Sequence, residues 1–299
     1  MIRKKLISRV RVAPGQRVRL ADFPTSWAAS KELKEAGKEA VKERAQEILD
    51  ANRASLAAAQ ELLYASNIYS VLIILQGMDT AGKDGTIKHV MSGVNPQGCR
   101  VNSFKVPTPE ETDHNFLWRY SKALPGRGEI GVFNRSYYED VLVVKVHPEI
   151  LEGQQLPPGK RGNRFWNGRY EDIVAFEQHL ARNGTLILKF FLHISKDEQK
   201  QRLADRLQDT EKYWKFSLSD LAERQYWDQY QEAYEAMLEK TSTDFAPWYV
   251  IPADFKWAAR TLIADIISTG IQRLDLAYPE ISPDGLQELE KARVQLMSE

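Results

Sequence analysis

A short stretch bounded by two glycines contains an aspartate and a lysine in a spacing typical of phosphate-binding loops. It runs Gly77-Met78-Asp79-Thr80-Ala81-Gly82-Lys83 and follows an apolar segment. In such a loop the backbone N–H groups turn inward around an anion, and the lysine adds a positive charge where a helix begins. The sequence therefore predicts a loop that binds phosphate groups.

Two residues of this segment depart from the usual pattern. Asp84 stands where a Ser or Thr hydroxyl normally binds magnesium. Asp79 lies inside the loop, where its carboxylate would repel phosphate unless a divalent cation lay between them. We interpret Asp79 as a magnesium ligand. The alternatives are a chance match to the motif and an aspartate that only caps the turn.

A second group of polar residues follows a predicted strand, in the segment Phe133-Asn134-Arg135-Ser136-Tyr137-Tyr138-Glu139-Asp140. In phosphate-loop enzymes the end of this strand usually carries a carboxylate that completes the magnesium shell, but here it carries Asn134. Arg135 is a candidate phosphate clamp, because a planar guanidinium spans two oxygens. Glu139 is the better candidate for a carboxylate that binds the metal or lies at the acceptor site. For both residues the alternative is an ordinary surface ion pair.

A third segment carries two arginines four residues apart, Arg202 and Arg206. On a helix they share a face beside Leu203 and Leu207. We expect the leucines to dock while the arginines reach outward over a bound phosphate, as in a lid over residues 196–218. The alternative is a solvated, charged helix.

The elements that must position these groups alternate between apolar strands and helical patterns. Strands are predicted at 71–75, about 99–106, 129–134, 184–194 and 248–251. One or two helices are predicted within 28–66, one from the loop through 94 and one over 109–123. This alternation predicts an α/β fold in three layers, with a parallel sheet between helices and a ligand site at the carboxyl ends of the strands.

Two segments lack a clear period. Residues 1–25 are basic and interrupted by proline, so we expect an extended arm. Residues 147–167 form a long irregular loop, and the overlapping segment 153–170 contains basic residues and no acidic ones, so this segment either contacts an anion or is simply solvated. Its basic residues are Lys160, Arg161, Arg164 and Arg169.

The composition describes a globular protein without a strong overall charge. The chain has 299 residues, of which 43% are hydrophobic, and 41 basic residues balance 41 acidic ones. No overall field therefore favours nucleic acid or an anionic membrane. The single Cys99 excludes an intrachain disulfide, and neither a membrane span nor a secretory signal is recognisable. We expect a cytoplasmic protein that binds neither nucleic acid nor membrane.

Four motifs together resemble those of the family-2 polyphosphate kinases. They are GMDTAGKDGTIKHV, FNRSYYEDV, ILKFFLHISKDEQKQRL and EKYWKFS, in the order of the family and within a region from about Tyr64 to Tyr278. The resemblance implies a thymidylate-kinase-like fold with a helical lid and an N-terminal helical extension. It also implies transfer of phosphoryl groups between inorganic polyphosphate and nucleotides.

We divide the chain accordingly into 1–66, an arm and helices packed on the core; 67–280, the kinase domain with its lid; and 281–299, a tail. The residue patterns and the resemblance together give the candidate site residues. The catalytic candidates are Asp79, Lys83, Arg135 and Glu139, and of these Asp79 and Glu139 would hold Mg²⁺, with Mn²⁺ as an alternative ion. The candidates for polyphosphate are Gly77, Thr80, Ala81, Gly82, Asp84, Gly85, Arg202, Arg206 and Lys215. The candidates for the nucleotide are Phe104, Asn134 and Asp140.

Three positions depart from the family pattern: many members have Gly at the position of Asp84, Asp at that of Asn134, and Asn at that of Glu139. This set resembles the subgroup that accepts both nucleoside mono- and diphosphates, such as AMP, ADP, GMP and GDP. Glu139 is then expected to take over part of the role of the missing strand-end aspartate.

Two other functions remain open at this point. An ATP-dependent nucleoside monophosphate kinase would share the fold but would usually keep a hydroxyl at position 84. A non-catalytic nucleotide sensor or scaffold would not need Asp79, Lys83 and Arg135 together. A homodimer or homotetramer is expected, and neither base preference nor reaction direction follows from the sequence.

Overall fold

A five-stranded sheet forms the centre of the computed structural model, which describes residues 2–27 and 35–299. The strand order is β2-β3-β1-β4-β5, and each neighbouring pair is parallel. The strands are β1 Ser70–Gln76, β2 Cys99–Ser103, β3 Ile130–Asn134, β4 Thr185–His193 and β5 Trp248–Pro252. The predicted α/β class with a parallel sheet is confirmed.

The helices are numbered along the described residues. They are α1 Ile2–Val10, α2 Lys38–Ser66, α3 Lys83–Val90, α4 Pro109–Thr112, α5 Trp118–Ser121, α6 Val143–Val146, α7 Asn163–Arg182, α8 Lys196–Gln208, α9 Leu218–Glu223, α10 Trp227–Thr241, α11 Lys256–Gln272 and α12 Pro283–Met297. Short 3-10 segments lie at Leu20–Asp22, Pro96–Gly98, Tyr137–Val141, Pro148–Gln154, Thr210–Lys215 and Arg224–Tyr226. The predicted helical region 28–66 lies partly outside the described residues, at 28–34.

Helices cover both faces of the sheet. On one side α2 packs along α11, which also contacts α3, β4 and β5, and on the other side α7 packs on β4 and against α10. The side chains of β1 are buried along its whole length, because a parallel sheet between two helical layers leaves no face in water. Within the described residues, no helix has the length and apolar character needed to cross a membrane.

The beginning of the chain differs from the predicted extended arm. Residues Ile2–Val10 form a helix. Basic residues interrupt the apolar ones in its sequence, so the helical period is not recognisable there. The extended part begins only at Arg11, which bridges to Tyr249 of the edge strand β5. The Val12 N–H donates to the Trp248 carbonyl oxygen at 2.9 Å. This contact covers part of an otherwise open sheet edge.

Two predicted helices are shorter than expected. The helix after the phosphate loop ends at Val90 rather than Val94, since the following residues turn at Gly93, which has a φ of 92°. The helix predicted over 109–123 consists of two single turns, α4 and α5, with a bend between them. Strand β2 also ends earlier than predicted, at Ser103.

A buried ion pair joins β4 to α7. The side chains of Lys189 and Glu177 are both fully buried, and their Nζ–Oε2 distance is 2.6 Å. The Lys189 ammonium also donates to the Tyr138 hydroxyl at 2.8 Å and to the Thr241 carbonyl oxygen at 2.7 Å, which uses all three of its protons. Glu177 Oε1 accepts hydrogen bonds from the hydroxyls of Tyr137 and Tyr138. This network fixes the 3-10 segment that follows β3.

We predict that Glu177→Gln lowers the free energy of unfolding by about 3–5 kcal/mol, because it leaves the buried ammonium of Lys189 without its counter-charge. Urea unfolding at pH 7 measures the change. The matched control is Arg100→Met, which breaks the Arg100–Glu129 pair, in which the Arg100 side chain is 68% exposed. This control should cost less than about 1 kcal/mol. An equally small loss for Glu177→Gln would contradict the stabilising role of the buried network.

Candidate active site

The predicted phosphate loop connects β1 to α3 at the carboxyl end of the central strand. Gly77 and Gly82 have φ angles of 156° and 108°, which side chains rarely allow. A Cβ atom at Gly77 would lie 2.9 Å from the Leu192 carbonyl oxygen, so a larger residue would push the loop away from β4. Thr80 has a φ of 64°, a strained value for a β-branched residue and one found mainly where function requires it. The backbone thus has the sharp turns that an anion-binding loop needs.

Lys83 points back into this loop. Its Nζ donates to the carbonyl oxygens of Gly77 at 2.5 Å and Met78 at 3.3 Å. Burial of the ammonium lowers the pKa of Lys83, and the nearby Arg135 lowers it further, while Asp79 opposes both effects. The two hydrogen bonds place Lys83 Nζ inside the loop, where a phosphate oxygen would compete with these two carbonyls.

Arg135 joins the two carboxylates that were predicted to bind metal. Its Nη2 lies 2.9 Å from Asp79 Oδ1, and its Nη1 lies 3.4 Å from Glu139 Oε2. The charge of Glu139 raises the pKa of Arg135, with a further contribution from Asp79. The backbone of Arg135 has a φ of 64°, so the chain turns sharply where β3 ends. Two carboxylates from separate elements thus converge on one cationic group.

Two of the departures from the family pattern contact each other. Asn134 Nδ2 donates to Asp84 Oδ1 at 2.6 Å. The pairing of Leu75 with Asn134 between β1 and β3 places this strand end beside the phosphate loop. An aspartate at position 134 would set two carboxylates side by side and raise the pKa of one of them. An amide at this position is therefore the compatible partner of Asp84.

A cavity of about 1050 Å³ opens above the loop. The predicted site residues that line it are Asp79, Thr80, Gly82, Lys83, Asp84, Gly85, Phe104, Asn134, Arg135, Arg202 and Arg206. Residues outside these site candidates also line it: Lys88, His89, Ser103, Lys105, Val106, Asp205, Trp214, Asp220, Lys256 and Arg260. Lysines and arginines outnumber the acidic residues in this lining, so its field attracts anions.

The most informative of the missed residues are Lys256 and Arg260 on α11. They are four residues apart, which places them on one face of the helix. A functional role is hardly evident from the sequence, because the many apolar residues of α11 indicate a core helix. The packing of α11 against α3 brings this face to the cavity, where Arg260 Nη2 lies next to Gly85. Burial lowers the pKa of both residues, and the charge of the nearby Arg202 adds to the effect.

Among the predicted site residues whose side chains the structure describes, four do not line the cavity. Gly77 and Ala81 belong to the backbone of the loop, and Glu139 is linked to the cavity through Arg135. Asp140 is 7% exposed, and its Oδ1 accepts a hydrogen bond from Gln154 at 2.8 Å. The structure therefore does not bring the Asp140 carboxylate to the cavity where the nucleotide contact was predicted.

The ring of Phe104 is shared between the cavity and the core. It packs against Tyr120 and Phe133, with ring centroids 4.5 and 4.9 Å apart. Phe104 is half-buried and lines the cavity, so part of an apolar ring is available there.

The predicted lid differs from expectation at its first arginine. Arg202 does not reach outward: it is 5% exposed, because its guanidinium donates hydrogen bonds to backbone carbonyls inside the protein. Leu207, which was expected to dock, is 52% exposed. Arg206 does line the cavity, and its Nη1 lies 3.1 Å from Asp220 Oδ2. The side chain of Lys215 lies outside the described residues.

The basic segment 153–170 is partly helical, since α7 begins at Asn163. It borders a second cavity of about 400 Å³, lined by Lys160, Arg164, Phe165, Gly168, Arg169 and Asp172. None of these residues lines the first cavity, and Arg169 is itself paired with Asp140 at 3.5 Å. A role in binding anions stays a prediction for this segment.

Comparison with known proteins decides the family. The model of the family described as polyphosphate kinase 2 (PPK2) matches residues 39–278. This chain belongs to the polyphosphate kinase 2 family. The resemblance noted in the sequence is thereby confirmed. As a member of this family the protein is a phosphotransferase, and enzymes of that class generally need a divalent metal.

Individual known proteins are similar to this chain over nearly its whole length. An ADP-polyphosphate phosphotransferase of Rhodopseudomonas palustris is 49% identical over 96% of this chain and 97% of its own. An AMP/ADP-polyphosphate phosphotransferase of Meiothermus ruber is 47% identical over 92% of this chain and 96% of its own. The crystal structure of polyphosphate kinase 2 from Arthrobacter aurescens matches with a TM-score of 0.84 and 40% identity, over 97% of this chain and 95% of that one.

The burial of Asp140 predicts a specific pH dependence of stability. Burial raises the pKa of Asp140 from 3.8 to about 6, although Arg169 opposes the shift. The native state therefore holds the proton of Asp140 more tightly than the unfolded state does. Protonated Asp140 adds to the free energy of unfolding at low pH, and this addition is lost as the pH rises towards 6. Between pH 4 and 7 the wild type should lose roughly 2 kcal/mol more of its unfolding free energy than Asp140→Asn.

Urea unfolding at several pH values measures this difference. The control is Glu152→Gln, which removes an exposed carboxylate and should leave the pH dependence of the wild type in place. Parallel curves for the wild type and Asp140→Asn would contradict the prediction.

Proposed function

We propose that this enzyme transfers phosphoryl groups from inorganic polyphosphate to nucleoside mono- and diphosphates with the help of Mg²⁺. The observation that supports this most directly is a single cavity shared by a phosphate loop, a carboxylate inside that loop and a set of lysines and arginines. Polyphosphate carries about one negative charge per unit, so such a cavity attracts it in a salt-dependent way. The similar proteins of Rhodopseudomonas palustris and Meiothermus ruber are named for the same class of reaction.

The charges of the cavity support separate roles for its two sides. Lys88, Lys256 and Arg260 extend the positive charge of Lys83 beyond the loop, as a linear polyanion requires. Phe104 and Lys105 lie on the part of the lining contributed by the end of β2. We place polyphosphate along α3 and α11 and the acceptor nucleotide near Phe104. We also expect a cytoplasmic homodimer or homotetramer.

The residues around Arg135 fit a magnesium ion. Asp79 and Glu139 offer hard carboxylate oxygens that already converge on one positive group. Among the described residues no three His, Cys, Asp or Glu side chains form a complete metal cluster. Mg²⁺ typically takes one or two carboxylates and completes its shell with water and substrate phosphates, so two carboxylates would suffice to hold it. When bound, the ion would neutralise phosphate oxygens during transfer.

The protein's own groups account for the rest of the reaction. The loop N–H groups and Lys83 would hold the phosphoryl group that moves, and Arg135 would stabilise the charge on its oxygens. The acceptor is a phosphate oxygen that is already anionic, so no general base is required. The enzyme's contribution is then to hold donor and acceptor in line and to exclude water.

The donor experiment tests this function. We expect AMP, ADP, GMP and GDP to be phosphorylated with Mg²⁺ and long-chain polyphosphate, measured by chromatography of the nucleotides. Lys83→Ala should abolish the reaction, since it removes the positive charge inside the loop. Activity with ATP alone as donor would instead identify a nucleoside monophosphate kinase. If only the diphosphates react, the proposal that the enzyme also accepts monophosphates is wrong.

The metal assignment predicts a changed ion requirement in Glu139→Gln and Asp79→Asn. Each variant should need at least tenfold more Mg²⁺ for half-maximal rate, because one anionic ligand is lost. A titration of activity against Mg²⁺ measures this. Glu129→Gln is the matched control, because Glu129 pairs with Arg100 away from the cavity and its loss should leave the requirement unchanged. Coincident titrations of all the proteins would contradict the assignment.

A further inference from the structure

Three successive carbonyl groups of the phosphate loop accept hydrogen bonds from two side chains of α8. Gln199 Nε2 donates to the Asp79 oxygen at 3.0 Å. Arg202 Nη1 donates to the oxygens of both Thr80 and Ala81, each at 3.0 Å. Gln199 and Arg202 are three residues apart on one helix face, and they are only 1% and 5% exposed. One buried face of α8 therefore holds the outer side of the loop.

The direction of these carbonyls determines the direction of the neighbouring N–H groups. In a trans peptide the C=O and N–H bonds point in opposite directions. The Asp79 and Ala81 carbonyls face α8, so the N–H groups of Thr80 and Gly82 face the other way. Both of these residues line the cavity. The N–H of Ala81, between them, closes the turn by donating to the Met78 oxygen at 3.1 Å.

The same guanidinium also ties the loop to the end of β5. Arg202 Nη2 donates to the Ala253 oxygen at 2.7 Å and to the Asp254 oxygen at 3.0 Å. Its Nε donates to Glu198 Oε1 at 2.8 Å. An arginine side chain has five N–H donors, and these five hydrogen bonds use all of them. A direct contact with phosphate would require one of these hydrogen bonds to break.

We infer that Arg202 is a positioning residue for phosphoryl transfer, which keeps the N–H groups of the phosphate loop directed at the substrate and does not itself bind polyphosphate. Gln199 assists it and is held in turn by Arg224, whose Nη1 donates to Gln199 Oε1 at 2.6 Å. A lysine could not replace Arg202, since its three donors on one atom cannot reach two segments in a plane. The activity tests rest on the proposed function, whereas the geometry can be tested in the free protein.

The first test compares Arg202→Gln with Arg260→Gln, which makes the same change elsewhere in the cavity lining. For each enzyme the KM for polyphosphate is measured over a range of salt concentrations. A side chain that contacts the polyanion should lower the slope of log KM against log salt by about 0.7 when removed, and we expect this for Arg260→Gln. Arg202→Gln should keep the wild-type slope and lose about 100-fold in kcat, because the loop is misplaced. A lowered slope in Arg202→Gln would overturn the inference.

The second test follows hydrogen exchange in the free protein by mass spectrometry. In Arg202→Gln the peptides that cover residues 77–83 should exchange at least tenfold faster, since the Ala81–Met78 turn is no longer held. Peptides from α7 should be unchanged. Unchanged exchange in the loop would overturn the inference. If Arg202→Gln does not fold, Gln199→Met replaces it in both tests, with the same pattern and a smaller loss of kcat.

These readouts separate the inference from the proposed function. If the wild-type enzyme has no polyphosphate-dependent activity, the proposed function is wrong. If Arg260→Gln leaves the salt slope unchanged, the proposed path of polyphosphate along α3 and α11 is wrong. The exchange experiment would still decide whether Arg202 holds the loop.

Discussion

A loop that binds anions through its backbone N–H groups must direct its carbonyl groups into the protein, where each needs a hydrogen-bond donor. Much of this structure follows from that requirement. Gln199 and Arg202 supply donors to three successive loop carbonyls, and Lys83 supplies them to Gly77 and Met78. Helix α8 must therefore pack directly on the loop. The shape of the phosphate site thus depends on side chains more than a hundred residues further along the chain.

Several charged groups at the site are already paired within the protein. Arg135 lies between Asp79 and Glu139, and Asp84 accepts a hydrogen bond from Asn134. A phosphate or a metal ion entering the cavity would exchange these internal contacts for its own, and the charged groups are already held in place when it arrives. The strained backbones of Thr80 and Arg135 belong to the same arrangement, since both residues turn the chain sharply at the end of a strand.

The support for Glu139 lies deeper in the molecule. The 3-10 segment Tyr137–Val141 carries Glu139, and the hydroxyls of its two tyrosines bind the buried Glu177. Lys189 completes this network from β4. The same strand, β4, pairs with β1, which ends in the phosphate loop. A buried polar network and a sheet register together hold the two halves of the site in place.

The sequence by itself determined the parts of this protein that are continuous along the chain. The apolar strands, the phosphate loop at Gly77–Lys83 and the family follow from contiguous patterns, because a strand or a loop is recognisable from residues next to one another. Only the tertiary structure decided which way side chains face. Arg202 turns inward and Lys256 lines the cavity, because the packing of α8 on the loop and of α11 on α3 selects one face of each helix. Such contacts join residues distant in sequence, and no local pattern records them.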